Sequence, residues 1–143
     1  MIYFKPMTEA YEWNWITERA LCSRSRDTQG IMAYDSVGKL QAGVVFDGIN
    51  LASCNVHVAI DNPLVIRRGF LNHGFEYLFK VLGLERVFCA IKATNEKSLN
   101  FAKKLGFEQE AILKNRFPDN VDYIVFRMEK EACRWIEQEK EAA

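Results

Sequence analysis

The chain lacks most of the features that announce a special environment. Its nineteen acidic and nineteen basic residues cancel, so the basic excess of a general nucleic-acid binder is missing. No run approaches the ~20 consecutive apolar residues that a membrane span needs. The opening residues, MIYFKPMTEAYEW, lack the basic start and unbroken apolar stretch of a secretory leader, which makes the cytoplasm the expected location. Four cysteines, Cys22, Cys54, Cys89 and Cys133, are scattered without a Cys-x-x-Cys pair. That spacing argues against a zinc site, and no metal is expected. Cys54 and Cys89 fall in apolar runs, where free cysteines usually serve as small buried residues. Repeats, low-complexity tracts and linkers are absent. The 143 residues therefore read as one domain, 1–143, large enough for a real core.

What is present reads as alternating strands and helices. After a short first strand, a helix is expected from Thr8 through residue 25, with Tyr11, Trp15, Ile16 and residues 19–21 on its buried side. GIMAY and KLQAGVVFD, joined by DSVGK, form a hairpin. LASCNVHVAID continues as a strand, with Asn55, His57 and Ala59 on one face and Val56, Val58 and Ile60 on the other. Pro63 breaks it. A helix over residues 70–82 stops at Gly83, and ERVFCAIKA has the β-branched and aromatic content of an interior strand. A second hairpin turns at Pro118-Asp119-Asn120, where Asn120 tolerates left-handed backbone. A charged helix is expected to close the chain from residue 129 onward.

Two short stretches invite chemistry. In IRRGFLNHGF, Gly69 stands between a strand and a helix, directly after Arg67 and Arg68. A glycine there lets a ligand approach the backbone, and first-turn N–H groups can bind phosphate oxygens, helped by two guanidiniums. The competing reading is a tight turn with solvated arginines. In TNEKSLNFAKKLGFEQE, Thr94 or Asn95 can N-cap a helix, Leu99, Ala102 and Leu105 form its apolar stripe, and Gly106 closes it. Lys92, Lys97, Lys103 and Lys104 read as a solvated face. Capping accounts for the glycine, but not for Asn95 and Ser98 sharing the helix start.

Taken together, strand, Gly-loop, helix, strand and then N-x-x-S-x-x-F-x-x-K-L-G-F-x-x-E-A-x-L resemble the GCN5-related N-acetyltransferase (GNAT) superfamily. The flavour is that of its ribosomal-protein N-terminal acetyltransferase branch, in a short phage- or prophage-type member. Residues 84–135, including Gly106, Phe107, Glu110, Asp122 and Met128, carry most of the likeness, and it extends from about Gly30. The resemblance implies an α+β fold with a mixed, mostly antiparallel central sheet flanked by helices. It also implies acetyl-CoA as co-substrate and a primary amine as acceptor. A peptide or protein N-terminus or lysine is the favoured acceptor. A small-molecule amine, or a CoA-binding scaffold without catalysis, is the alternative, and a homodimer is a further partner.

By the same resemblance, two central strands splay and admit the pantetheine arm between NVHVAI and VFCAIKA. Backbone groups of Val58, Ala59 and Ile60 would pair with the arm, one N–H polarising the thioester carbonyl. Asn95 would bond the cofactor's amides or a water. Arg67, Arg68, Gly69, Phe70 and Leu71 would hold the diphosphate. Two positions depart from the pattern: Leu71 replaces a small residue, and Phe101 stands where many relatives have an acidic tyrosine. Ser98 then becomes the candidate for assisting the thiolate, unless it bonds backbone as first-turn serines do. His57 is the candidate base, since an ammonium must lose a proton before attack; its alternative is a histidine satisfied within the sheet. Glu110 is the second candidate base, or an ion-paired strand carboxylate.

Overall fold

The computed structural model describes residues 1–138. Seven strands form one sheet in the order β1-β2-β3-β4-β5-β7-β6. They are β1 (Tyr3–Pro6), β2 (Gln29–Tyr34), β3 (Leu40–Asp47), β4 (Ser53–Ile60), β5 (Arg86–Lys92), β6 (Glu108–Leu113) and β7 (Tyr123–Glu129). Every neighbouring pair is antiparallel except β4 and β5, which run parallel. A parallel pair needs a crossover, and this one is helical: α2 (Leu64–Arg67), then α3 (Phe70–Glu76) continued by a π-helical turn over Tyr77–Val81. The remaining helices are α1 (Ala10–Thr17) and α4 (Glu96–Leu105).

Strand alternation divides the interior into two unequal cores. On β3, Val44 and Phe46 join Val56, Phe70, Phe75, Leu78, Leu105 and Phe126 in the large core under α3 and α4. Val45, one residue away, points to the opposite face and packs with Ala59, Trp13 and Ile16 under α1. His57 shares that second face, because it lies opposite Val45 in the β3–β4 register.

The first helix is shorter than expected. Its start is set by Glu12, whose carboxylate accepts the N–H groups of Thr8 (2.8 Å) and Glu9 (2.9 Å) and the Lys5 ammonium (2.7 Å). Burial pushes the Glu12 carboxyl up, but the bonds from Lys5, Tyr34, Thr8 and Glu9 together hold it below its usual range. Its buried side is Trp13 and Ile16, whereas Tyr11 and Leu21 are exposed. The expected C-terminal helix is also absent over the described residues, and residues 139–143 lie outside them. A single 3-10 turn, Lys130–Ala132, is followed by a segment laid across α3 and α4. Cys133 and Ile136 are buried there. The Trp135 indole donates to the Leu105 carbonyl (2.9 Å), and Asn72 donates to the Trp135 carbonyl (3.0 Å). Packing and these bonds outweigh the segment's helix propensity.

Candidate active site

β4 and β5 separate. They pair only at Ser53/Arg86, Cys54/Val87 and Asn55/Phe88. Yet β3 accompanies β4 as far as Ile60, and β7 accompanies β5 as far as Lys92. Each strand is thus held on its outer edge and left open on its inner edge over Val56–Ile60 and Cys89–Lys92. An open edge of this kind presents unpaired backbone N–H and C=O groups, as an extra strand would require. A cleft of about 1230 Å³ fills the gap, above the usual range for small-ligand sites. Its walls include Val56 to Asp61, Cys89 to Lys92, Asn95, Ser98 and Phe101, with residues 19–21 and 117–119 at the mouth.

The helix α4 enters this cleft with its N-terminus. Asn95 is its N-cap, and its side chain accepts the Ser98 N–H at 3.2 Å. The two residues share the helix start because one caps the other's backbone. Capping uses the Asn95 oxygen only, which leaves the amide NH2 as a donor in the cleft wall. The Ser98 hydroxyl has no hydrogen-bond partner among the described residues. Gly106, with φ of +109°, ends the helix in left-handed backbone. Phe101 faces the cleft, so the wall offers a ring there and no phenolic proton.

The crossover differs from the loop the sequence suggested. Arg67 ends the short helix α2, and Arg68 caps it. Both are exposed and unpaired among the described residues. Gly69 has φ of +89° with open space where a side chain would stand. The first in-helix bond of α3 is His73 N–H to the Gly69 carbonyl (2.9 Å). The Asn72 N–H, whose fourth preceding residue Arg68 lies outside both helices, makes no backbone bond among the described residues. Phe70 and Leu71 turn their side chains into the core, where Leu71 borders a small apolar void of about 30 Å³. The bulk of Leu71 is directed away from the exposed backbone and does not obstruct it.

Of the candidate bases, His57 lines the cleft and Glu110 does not. Glu110 sits at a bulge on the exposed edge strand β6, where the register skips between Gln109 and Ala111. Its carboxylate pairs with Arg127 at 2.8 Å. His57 Nε2 lies 2.8 Å from Asp47 Oδ2. His73, on α3, is stacked on Phe4 with centroids 4.8 Å apart. The Cys89 thiol is in the wall, but burial pushes it up to about 12. At neutral pH it stays protonated and is a poor nucleophile.

Sequence reasoning missed the mouth. Arg19 grips Asp61 with two bonds (2.9 and 3.1 Å) and stacks on Trp15. Lys92 pairs with Asp119 (3.1 Å), and Tyr123 donates to the same carboxylate (2.9 Å). The Val121 N–H, joined by Tyr123 and Lys92, holds Asp119 below its usual range against desolvation. Burial, then Asp119, pushes the Tyr123 phenol up, and its hydroxyl proton is engaged with Asp119. Arg19 and Asp61 are 42 residues apart, and Lys92 and Asp119 also come from separate parts of the chain. No local pattern marks either pair.

The architecture is a mixed seven-stranded sheet parted between its two parallel central strands. The chain belongs to the acetyltransferase (GNAT) domain family, whose model matches residues 26–125, and it is an N-acetyltransferase that uses acetyl-CoA as acetyl donor. Among solved structures it is similar to mutant forms of the spermidine/spermine N-acetyltransferase SpeG from Vibrio cholerae. That match has a TM-score of 0.76 at 16% identity, covering 92% of this chain and 96% of that one. SpeG from the same organism in complex with manganese ions gives 0.74 at 16%, covering 90% and 92%. A dodecameric spermidine N-acetyltransferase from Vibrio cholerae in an intermediate state gives 0.76 at 15%, covering 91% and 94%. At these identities the likeness is one of fold. No curated protein matches the sequence.

Proposed function

We propose that this domain transfers the acetyl group of acetyl-CoA directly to a small-molecule primary amine carrying a single positive charge. The observation that carries the reading is the unzipped inner edge of β4 and β5, facing the capped start of α4. In this reading the backbone of Val58, Ala59 and Ile60 pairs with the pantetheine arm, and Asn95 donates to one of its carbonyls. Arg67, Arg68 and the first-turn backbone of α3 after Gly69 take the diphosphate. Ser98 hydrogen-bonds the departing thiolate, and His57 removes a proton from the incoming ammonium. Attack is direct, since the Cys89 thiol is protonated at working pH.

A small acceptor agrees with the acceptors named for the SpeG structures; the charge of the cleft narrows the class. The two carboxylates among its wall residues, Asp61 and Asp119, already pair with Arg19 and Lys92. Lys97 and Lys104 in the same wall have no carboxylate partner among the described residues. A polyamine would meet a wall with surplus positive charge, whereas recognition rests on complementary potentials. A peptide N-terminus is the second reading. It draws on the likeness to the ribosomal-protein branch and on the single eight-residue helix α1, which leaves the acceptor side shallow.

The test is release of free thiol from acetyl-CoA with spermidine, phenethylamine, glycine and a short peptide with a free N-terminus. Turnover should be highest with phenethylamine or glycine, each of which carries one ammonium group. Spermidine as the best acceptor would overturn the charge argument, and the peptide as the best would favour the second reading. Calorimetric CoA binding without turnover on any amine would leave a binding protein.

A further inference from the structure

We infer that Asp47 is the positioning carboxylate of His57, selecting the ring tautomer that presents Nδ1 as the proton acceptor. The inference rests on the acetyl-transfer reading with His57 as base, and it adds a residue that no local motif marks. Asp47 ends β3 and lies opposite Asn55, two pairs along from the Val45/His57 pair. With the two-residue alternation of strands, Asp47 and His57 become diagonal neighbours on one face. Their contact is 2.8 Å, and both side chains are about four-fifths buried, at 21% and 22% exposure.

The strand end is held in this position. Gly48 follows with φ of +56°, and the Asn55 amide nitrogen lies 2.8 Å from where a Cβ on Gly48 would stand. A side chain there would both strain the backbone and displace the Asn55 side chain. Cys22 and Cys54 are the other titratable groups near Asp47; burial, then Asp47's charge, pushes both thiols up. They are therefore neutral and leave Asp47 as the charge that His57 faces.

An ionised carboxylate can only accept hydrogen bonds. The hydrogen must then be on Nε2, and the lone pair of the neutral ring is on Nδ1, which has no partner among the described residues. His57 stands in the cleft wall. Nδ1 takes one proton from the acceptor's ammonium, and the freed amine attacks the thioester carbonyl. The C–S bond breaks, the second nitrogen proton passes to the CoA thiolate, and the proton on Nδ1 leaves to solvent. Asp47 gains and loses nothing; it holds the ring.

The test uses the full chain labelled with 15N in its imidazoles. Only two histidines are present, so comparison with His57→Gln assigns the spectrum. The neutral wild-type ring should carry its proton on Nε2, and Asp47→Asn should lose that single tautomer. With the best acceptor of the panel above, Asp47→Asn should lower kcat roughly tenfold or more, the scale of misplaced acid–base catalysis. KM for acetyl-CoA should hold, and Asp47→Glu should recover part of the loss. A structural cross-strand pair would shift stability without coupling tautomer to kcat. A wild-type proton on Nδ1, or wild-type kcat in Asp47→Asn, overturns the inference. Wild-type kcat in His57→Gln removes the base and Asp47's role with it, leaving acetyl transfer intact. No turnover on any amine overturns the transfer reading instead, and the tautomer spectrum tells that failure from a failure of the pair.

Discussion

β4 is one strand with two different halves. From Ser53 to Asn55 its β5 edge is zipped into a ladder, with Asn55 paired on both edges, and Cys54 is buried against the main core. From Val56 to Ile60 only the β3 edge is paired, and the other borders the cleft. The closed half contributes to stability in the ordinary way, through apolar burial and satisfied backbone groups. The open half leaves polar backbone groups for a ligand, which a dry interior would penalise. Stability and chemistry are thus carried by successive residues of a single strand, and variants can separate them.

The largest effect should come from Gly69, beyond the open half. Gly69→Glu places a carboxylate beside the backbone donors of α3 and should weaken acetyl-CoA binding roughly 100-fold, as juxtaposed like charges do. Gly69→Asn, which tolerates positive φ, should bind far better; equal loss in calorimetry would make the effect backbone strain. On β5 opposite the closed half, where Val87 pairs with Cys54, Val87→Ala should cost about 2 kcal/mol of stability by methyl loss and cavity formation, with acetyl-CoA affinity unchanged. A parallel loss of affinity would show that the two halves are not separable. Ser98→Ala should lower turnover roughly tenfold, the scale of one hydrogen bond to a developing charge, while binding holds. Equal losses in both would demote Ser98 to the helix start. The smallest effect should be Asn95→Ala, about 1 kcal/mol of stability for a lost N-cap. If acetyl-CoA affinity stays at the wild-type level, Asn95 is a cap and nothing more.

Much of the local structure was legible. The β2–β3 hairpin, the two faces of β4, the caps of α4 at Asn95 and Gly106, and the left-handed Asn120 (φ 57°) are all as the residues suggest. Each follows from short-range sterics and alternation. The C-terminal segment misled because burial of Cys133 and Ile136 against distant helices decides its path. For Glu110 the residues left open a base or an ion-paired strand carboxylate; the β6 bulge and the pairing with Arg127 set where it goes, and neither shows in the Gly-Phe-x-x-Glu spacing. Leu71 departs from the small residue of the family pattern, and only the packed structure shows its side chain directed into the core. For Asp47 and His57 a signal did exist, since hairpin register places them on one face ten residues apart.

By itself, then, the amino-acid order determined the number and kind of most elements, the caps, and the family they compose. Those features depend on neighbours within a few residues, where backbone sterics and hydrophobic period act. The tertiary structure alone decided how far β4 and β5 part, which cleft carboxylates are already paired, and which nitrogen of His57 is engaged. Each of these depends on groups from different strands meeting across the sheet, and the geometry of that meeting is set by the packing of both cores at once.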